Sequence, residues 1–504
     1  MTTKTRAENF VAAINSHPRG RGLAPTFEAL WHLEDLKVVE SLDSYSSVAW
    51  DIAENQDPPV VVVMDTPMDI NHPNLEANID RARMRDFSVY NDGAFPIDFR
   101  TLTQVEKEKR KALAKQMPTS SESYQDRDDH EIEPDHLQAA IANTVTAEIN
   151  ADEYGEDAHN LKSRSRHSLV TQLPGAHGTA VAGLVAGRPA TKPLQTAAYL
   201  GATNHPSETI QANLPYAGIN PYATIIPISL TAAPYPDMVL GALTYIEAIK
   251  PDVIVIAAAW ADTVDLEGAP LEDSSWPIEL NEQVSEIPNS EVSTAAPSPL
   301  RDKDVWRAVT SKIKSLSRNS IVLCAAGNVE SDQLVYPASL CTENDNNIWA
   351  VTACDTNGDK LSYAPRLRSK IRMIKTLSSQ LPRADRGETV VNPYERKLPE
   401  LRVNHIAPKE IAARDIITLD PTGSQGYNPT EYPVTNDDSE EPILEIGSLY
   451  TRFSGTSAAT AIAGGLVSLA ISMKSGEPIS TASNRELLFD LDQARALFGQ
   501  KIQS

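Results

Sequence analysis

Positive charge is scarce in this 504-residue chain: 45 lysines and arginines face 68 aspartates and glutamates, a formal net charge of −23. Such a surface repels polyanions, which argues against nucleic acid or an anionic membrane as the main partner and for a soluble protein. Cysteine is scarcer still. Cys324, Cys341 and Cys354 are an odd number in a long sequence and suit a reducing compartment. Cys324 and Cys354 fall in strand-like runs, as buried thiols do. The opening residues, MTTKTRAENFVAAINSHPRGRG, lack an apolar core of signal-peptide length, and no stretch of about 18 or more apolar residues reads as a membrane span. These absences together predict a cytoplasmic protein. Internal repeats are also missing.

What is present is apolar content, 41% of residues, enough for a large core in one α/β domain with insertions. Short β-branched runs of the kind buried on both faces of a sheet occur at Val60–Met64, Thr224–Leu230, Asp252–Ala259, Ser320–Ala326 and Ile348–Ala353. Helical spacing of apolar residues is found over Thr26–Leu42, Met238–Lys250, Val305–Leu316 and Glu486–Phe498, and a charged helix over Thr101–Met117. Strand, helix and strand alternate from Thr224 to Ala259, which predicts a parallel sheet.

Between these elements lie segments of another character. Glu122–Asp157 holds twelve Asp or Glu against the single Arg127, whereas Lys360–Arg402 holds eleven Lys or Arg against four acids, a net of 11 − 4 = +7. Each reads most simply as a solvated surface, and their opposite signs allow attraction to each other or to a partner. The acidic run Asp126–His136, DRDDHEIEPDH, offers histidines and carboxylates but no recognised metal-ligand spacing. A third acidic loop, NDDSEE, spans Asn436–Glu441.

Four polar residues stand in unusual settings. Asp65 closes the first strand run, at the end of a parallel strand where loops gather chemistry; the alternative is a loop Asp bonding its neighbours' N–H groups. His177 opens the small-residue helix GAHGTAVAGLVAG, where a satisfied core histidine is the alternative. Asn328 follows Ala325, Ala326 and Gly327 at a strand end, positioned to offer its amide to a cleft or simply to make a turn. Ser457 sits at the mouth of the long apolar helix in FSGTSAATAIAGGLVSLA, whose Gly464 and Gly465 permit close backbone approach. There it is either an N-cap or a nucleophile beside free N–H groups and the positive end of the helix dipole.

MDTPMDINHPNL around Asp65, HGTAVAGLVAG around His177, AAGN ending at Asn328 and GTSAATAIAGG around Ser457 resemble, in order, the four active-site segments of subtilisin-like serine proteases (subtilases, peptidase family S8). AGINPYATIIPISL, DVIVIAAAW, VYPAS and IWAVTACD are similar too, so the resemblance runs from about Val60 to Met473. It implies a three-layer α/β fold with a mostly parallel central sheet and helices on both faces. The implied layout is an N-terminal helical extension over 1–55, a catalytic domain over 56–475 with insertions at about 85–170, 261–302, 360–404 and 411–448, and a C-terminal helical tail over 476–504. The implied roles are nucleophile for Ser457, general base for His177, its orienting carboxylate for Asp65 and oxyanion donor for Asn328. Ala257, Ala258, Ala259 and Trp260, with Ala325, Ala326 and Gly327, would border the substrate.

Departures from the family pattern are Pro67 for a glycine, Ala180 for a second histidine, and Ala458 and Ala461 for Met and Pro. None removes a catalytic atom. Trp260, however, stands where a glycine usually opens the specificity pocket, which predicts a narrowed or gated pocket and a restricted substrate range. Only 64 residues precede Asp65, little room for an inhibitory prodomain, so control by the insertions or by a partner is expected. The expected partners are a protein or peptide substrate and a regulatory protein, with no nucleic acid and no membrane. No cofactor is needed; calcium is frequent in the family, but no ligands for it can be assigned. Two rivals remain: a catalytically silent scaffold of the same fold, and an ester hydrolase, which the missing G-x-S-x-G elbow disfavours.

Overall fold

The computed structural model describes residues 30–40, 46–97, 101–117, 134–153, 175–195, 209–214, 216–260, 299–328, 333–341, 347–366, 371–379, 416–422, 426–427, 449–473 and 488–499. The strands are β1 (Val60–Asp65), β2 (Arg85–Asp86), β3 (Ala190–Gln195), β4 (Thr209–Leu214), β5 (Thr224–Ser229), β6 (Val253–Ile256), β7 (Ile321–Ala325), β8 (Ile348–Cys354), β9 (Met373–Leu377), β10 (Ile416–Leu419) and β11 (Tyr450–Phe453). The helices are α1 (Trp31–Asp35), α2 (Val48–Glu54), α3 (Gln104–Gln116), α4 (Pro134–Glu153), α5 (Ala176–Ala186), α6 (Pro236–Ile249), α7 (Pro299–Leu316), α8 (Gly455–Met473) and α9 (Leu491–Phe498).

Seven strands form one sheet in the order β2-β5-β1-β6-β7-β8-β9, and every neighbouring pair is parallel. Alternate side chains enter two separate cores. Val61, Val63, Val253, Val255 and Leu323 point to the side covered by α1, α2, α5, α8 and α9. Val62, Met64, Ile254, Ile256 and Val322 point to the side covered by α3, α4, α6 and α7. Burial on both faces is why these strands read as unbroken apolar runs. The result is the predicted three-layer α/β architecture. Strand order reverses at β1, which has β5 on one side and β6 on the other, and crevices for ligands open at the carboxyl ends of strands at such a switch.

By length and composition α8 could cross a membrane, contrary to the sequence reading, but 89% of its apolar window is buried inside the fold. Its glycines bring it onto the sheet: a Cβ on Gly464 would stand 2.5 Å from Val255 Cγ2. Several expected insertions also contribute structure. In the basic segment placed at 360–404, Met373–Leu377 is the edge strand of the sheet. In the segment placed at 411–448, Ile416–Leu419 pairs antiparallel with β11, directly before α8. In the segment at 85–170, Leu113, Leu137, Ile141 and Val145 enter the second core. Glu148 of that acidic segment is not a solvated charge, because it pairs with the buried Arg85 and Arg110. Residues 261–298 and most of Asp126–His136 lie outside the described residues.

The helix expected over Thr26–Leu42 is described as Trp31–Asp35 and ends where Lys37 takes a φ of 59°. Lys37 Nζ reaches Asp490 and Asp492, each at 2.7 Å, and Leu491 N–H donates to Leu36 O at 3.1 Å. The segments expected as extension and tail thus pack together in the first core, with Leu33, Phe489 and Phe498.

Two buried histidines are neutral. His72 accepts from Asn74 N–H at Nδ1 and donates from Nε2 to Leu449 O at 3.0 Å, and burial lowers its pKa against the charges of Asp69 and Glu76. His32 has no hydrogen-bond partner among the described residues, and burial lowers its pKa from 6.5 to about 3. The unfolded chain therefore binds protons below pH 6.5 that the fold refuses, so this stability is complete above that pH and lost as pH falls. Denaturation curves from pH 7 to 4 should show the decline, and His32→Phe should flatten its slope by about 1.4 kcal/mol per pH unit. An unchanged slope would mean that His32 is protonated in the fold.

Candidate active site

Asp65 ends β1 with its carboxylate buried. Oδ1 accepts from Thr66 N–H at 2.7 Å, as Asp commonly does at a strand end, but it also accepts from His177 Nδ1 at 2.7 Å. Oδ2 is buried without a hydrogen-bond partner among the described residues. The loop after β1 is stitched to the start of α5: Gly178 N–H donates to Thr66 Oγ1 at 3.0 Å, and Gly175 N–H donates to Pro67 O at 2.6 Å. Proline at position 67 is compatible with this contact, which uses its carbonyl and not an N–H.

His177 is the second residue of α5, its side chain 26% exposed and its ring edge against Phe453 at 5.2 Å between centroids. With Nδ1–H given to a carboxylate, the Nε2 lone pair is free to accept a proton. Burial pulls the pKa down, but the charge of Asp65 and its hydrogen bond raise it more, leaving His177 above the ordinary 6.5.

Ser457 is the third residue of α8, so its N–H belongs to the first-turn donors that lack an intrahelical partner. Its hydroxyl donates to Ala257 O at 2.7 Å and not to His177. This places the serine at the end of β6, next to β1 and Asp65. Asn328 follows β7 and is exposed. Its Oδ1 accepts from Thr456 N–H at 2.8 Å and from Thr456 Oγ1 at 3.0 Å, so the amide is oriented and its two Nδ2 hydrogens remain for another acceptor. Thr456 Oγ1 also accepts from Gly327 N–H at 3.2 Å. The approach is close enough to require glycine at 455, where φ is +80° and a Cβ would stand 2.9 Å from Asn328 Nδ2. The Gly455 carbonyl accepts from Ser378 Oγ at 2.8 Å, and Tyr363 OH donates to Ser378 Oγ at 3.1 Å.

The expected border residues divide. Ala258 and Ala259 are partly exposed, whereas Ala257 is buried with its carbonyl on Ser457. Ala325 and Ala326 are buried, and Ala326 donates its N–H to Val351 O of β8 and accepts from Val335 N–H. Trp260, expected to narrow the pocket, is 2% exposed and packs in the second core. Thr66, Thr456, Ser378, Tyr363 and Phe453 escaped the sequence reading, although Thr456 lies inside the GTS motif. Among the described residues no group of three or more His, Cys, Asp or Glu could hold a metal ion.

The model of the subtilase family (Peptidase_S8) matches residues 56–491. No curated protein sequence matches the chain. Among solved structures, the nisin leader peptidase NisP from Lactococcus lactis is 13% identical, with a TM-score of 0.44 over 93% of each chain. The epidermin leader peptide processing serine protease EpiP from Staphylococcus aureus is 12% identical, with a TM-score of 0.42 over 94% of this chain and 82% of its own. Gly455→Ala should strain the backbone and displace Asn328, lowering unfolding free energy by about 1–3 kcal/mol in urea titrations. No loss would mean that the turn before α8 tolerates a side chain.

Proposed function

Because the chain belongs to the subtilase family of serine endopeptidases, we propose that Ser457, His177 and Asp65 act as nucleophile, general base and orienting carboxylate in peptide-bond hydrolysis. The observation that carries this reading is the 2.7 Å bond between His177 Nδ1 and Asp65, which leaves Nε2 free to act as a base. A serine hydroxyl needs such a base near neutral pH. In the resting site the hydroxyl is held by Ala257, so rotation about its Cα–Cβ bond precedes attack.

As Ser457 Oγ bonds to the substrate carbonyl carbon, its proton passes to His177 Nε2 and Asp65 stabilises the imidazolium. The carbonyl oxygen takes the negative charge and is met by Asn328 Nδ2 and the Ser457 N–H. Collapse breaks the C–N bond, His177 returns the proton to the leaving amine, and an acyl-enzyme remains. Water then attacks that ester, giving a proton to His177, and the second collapse frees the acid and restores the Ser457 hydroxyl.

We further assign the protein a restricted range of substrates and control by its charged segments or by a partner that meets them. The buried free thiols of Cys324 and Cys354 support a reducing, intracellular setting, which fractionation of cells expressing the tagged chain would check. The rival reading, a silent scaffold, draws on the Ser457–Ala257 bond, which engages the hydroxyl proton elsewhere than at His177.

A fluorophosphonate probe separates the two. Ser457 should be labelled, identified by mass spectrometry of the modified peptide, and Ser457→Ala should abolish labelling; an unlabelled wild-type protein would favour the scaffold. Asn328→Ala should lower kcat by about 10²- to 10³-fold with little change in KM. Because His177 is raised above 6.5, it stays protonated and inactive further up the pH scale than an ordinary histidine. The kcat/KM profile should therefore rise with an inflection above pH 6.5, and Asp65→Asn should lower kcat by roughly 10⁴-fold.

A further inference from the structure

We infer that the residue whose carbonyl is attacked must be small: glycine, alanine or serine. This rests on the proposed hydrolysis and names the substrate class for that same site. Two chain segments flank Ser457. One is Ala257–Trp260, fixed by the bond from Ser457 Oγ to Ala257 O; the other is Ala326–Asn328, fixed by the bond from Gly327 N–H to Thr456 Oγ1. They continue the adjacent parallel strands β6 and β7, in which Ile256 pairs with Cys324. With the carbonyl carbon at Ser457 Oγ and its oxygen toward Asn328 Nδ2, the acyl-side residue lies between these segments. Any side chain longer than a methyl or hydroxymethyl group must enter the gap beneath it.

That gap is closed from within. Trp260 N–H donates to Tyr336 O at 2.9 Å, joining the end of one wall directly to the segment under the other. The Trp260 ring packs 6.2 Å from Tyr336, which meets Trp306 edge-on at 5.5 Å, and the Tyr336 hydroxyl is hydrogen-bonded to Thr310 Oγ1 at 3.0 Å. All three rings are only 2–3% exposed and belong to the second core, so they are a fixed floor and not a loose lid. Val335 is drawn up by its N–H to Ala326 O and covers Gly327: a Cβ added to Gly327 would stand 2.8 Å from Val335 Cγ1. Residues 257–260, 326–328 and 333–337 carry no charge, so nothing in these walls would pair a long basic or acidic side chain.

The test is a set of peptides differing only in the residue before the scissile bond (Gly, Ala, Ser, Val, Leu, Phe, Lys, Glu), run beside fluorophosphonate labelling of the same preparation. Expected is a kcat/KM for Ala, Gly or Ser about 100-fold above that for Leu, Phe, Lys or Glu, the scale on which a pocket discriminates by size. Trp260→Gly should raise Phe relative to Ala. Should that core substitution fail to fold, Val335→Ala, at a partly exposed position, should raise Val and Leu relative to Ala. Labelled Ser457 with Phe or Lys peptides cleaved as fast as Ala overturns the inference and leaves the hydrolysis standing. Absent labelling together with absent cleavage of every peptide overturns the hydrolysis itself, and the inference with it.

Discussion

The burial of α8 against the sheet is the constraint on which the rest of the active site depends. A helix this apolar has to be covered on all sides, and the cover comes from α2, α5, α9 and the first face of the sheet. Gly464 and Gly465 let it lie so close that a Cβ on either would meet Val255 or Ile219 below 2.6 Å. Ser457 inherits its position from that contact. Once the helix axis is fixed, its first turn emerges beside the ends of β6 and β7, where Ala257 and Gly327 receive it. The chemistry at the helix mouth is thus a by-product of packing about two turns away.

Around this fixed turn the polar groups form a chain of mutual restraint. Thr456 holds Asn328, Gly327 holds Thr456, and Ser378 with Tyr363 holds the carbonyl of Gly455. The second half of the site is built independently, by Thr66 and Pro67 tying the loop after β1 to α5. The halves meet at the Phe453 ring, which leans on His177 and lies in the strand leading into α8. Such a site makes little use of charge, whereas the acidic segment is anchored through Glu148 between two buried arginines and through Leu137, Ile141 and Val145 in the second core.

The parallel strands were legible because burial on both faces leaves uninterrupted β-branched runs, as in Val60–Asp65. β9 was not, since MIKTL follows Arg372 and carries Lys375, and charge outweighed its short apolar signal; the Lys375 ammonium in fact caps Gly358 O at 2.6 Å. The first helix was drawn too long because Val38 and Val39 continue the apolar spacing, while the backbone turns at Lys37. At the site, ordered motifs bring forward the four polar residues, but not how they are held. The clamp of Thr456 on Asn328 joins residues 128 positions apart, and the closure of Trp260 on Tyr336 depends on which wall each side chain faces.

The contact between Lys37 and Asp492 spans 455 positions. With Leu36 and Leu491 it closes the cover over the same apolar core that holds α8. During synthesis this cover is complete only after the ribosome has passed α9, which follows Ser457 in the chain. Pairings of such separation form late, because loop closure has to precede their reward. A nascent chain stalled before α9 would carry the serine on an incompletely roofed, sticky helix, a target for chaperones and quality control. The roof over the catalytic helix is therefore made from the two segments that lie farthest apart in the described sequence.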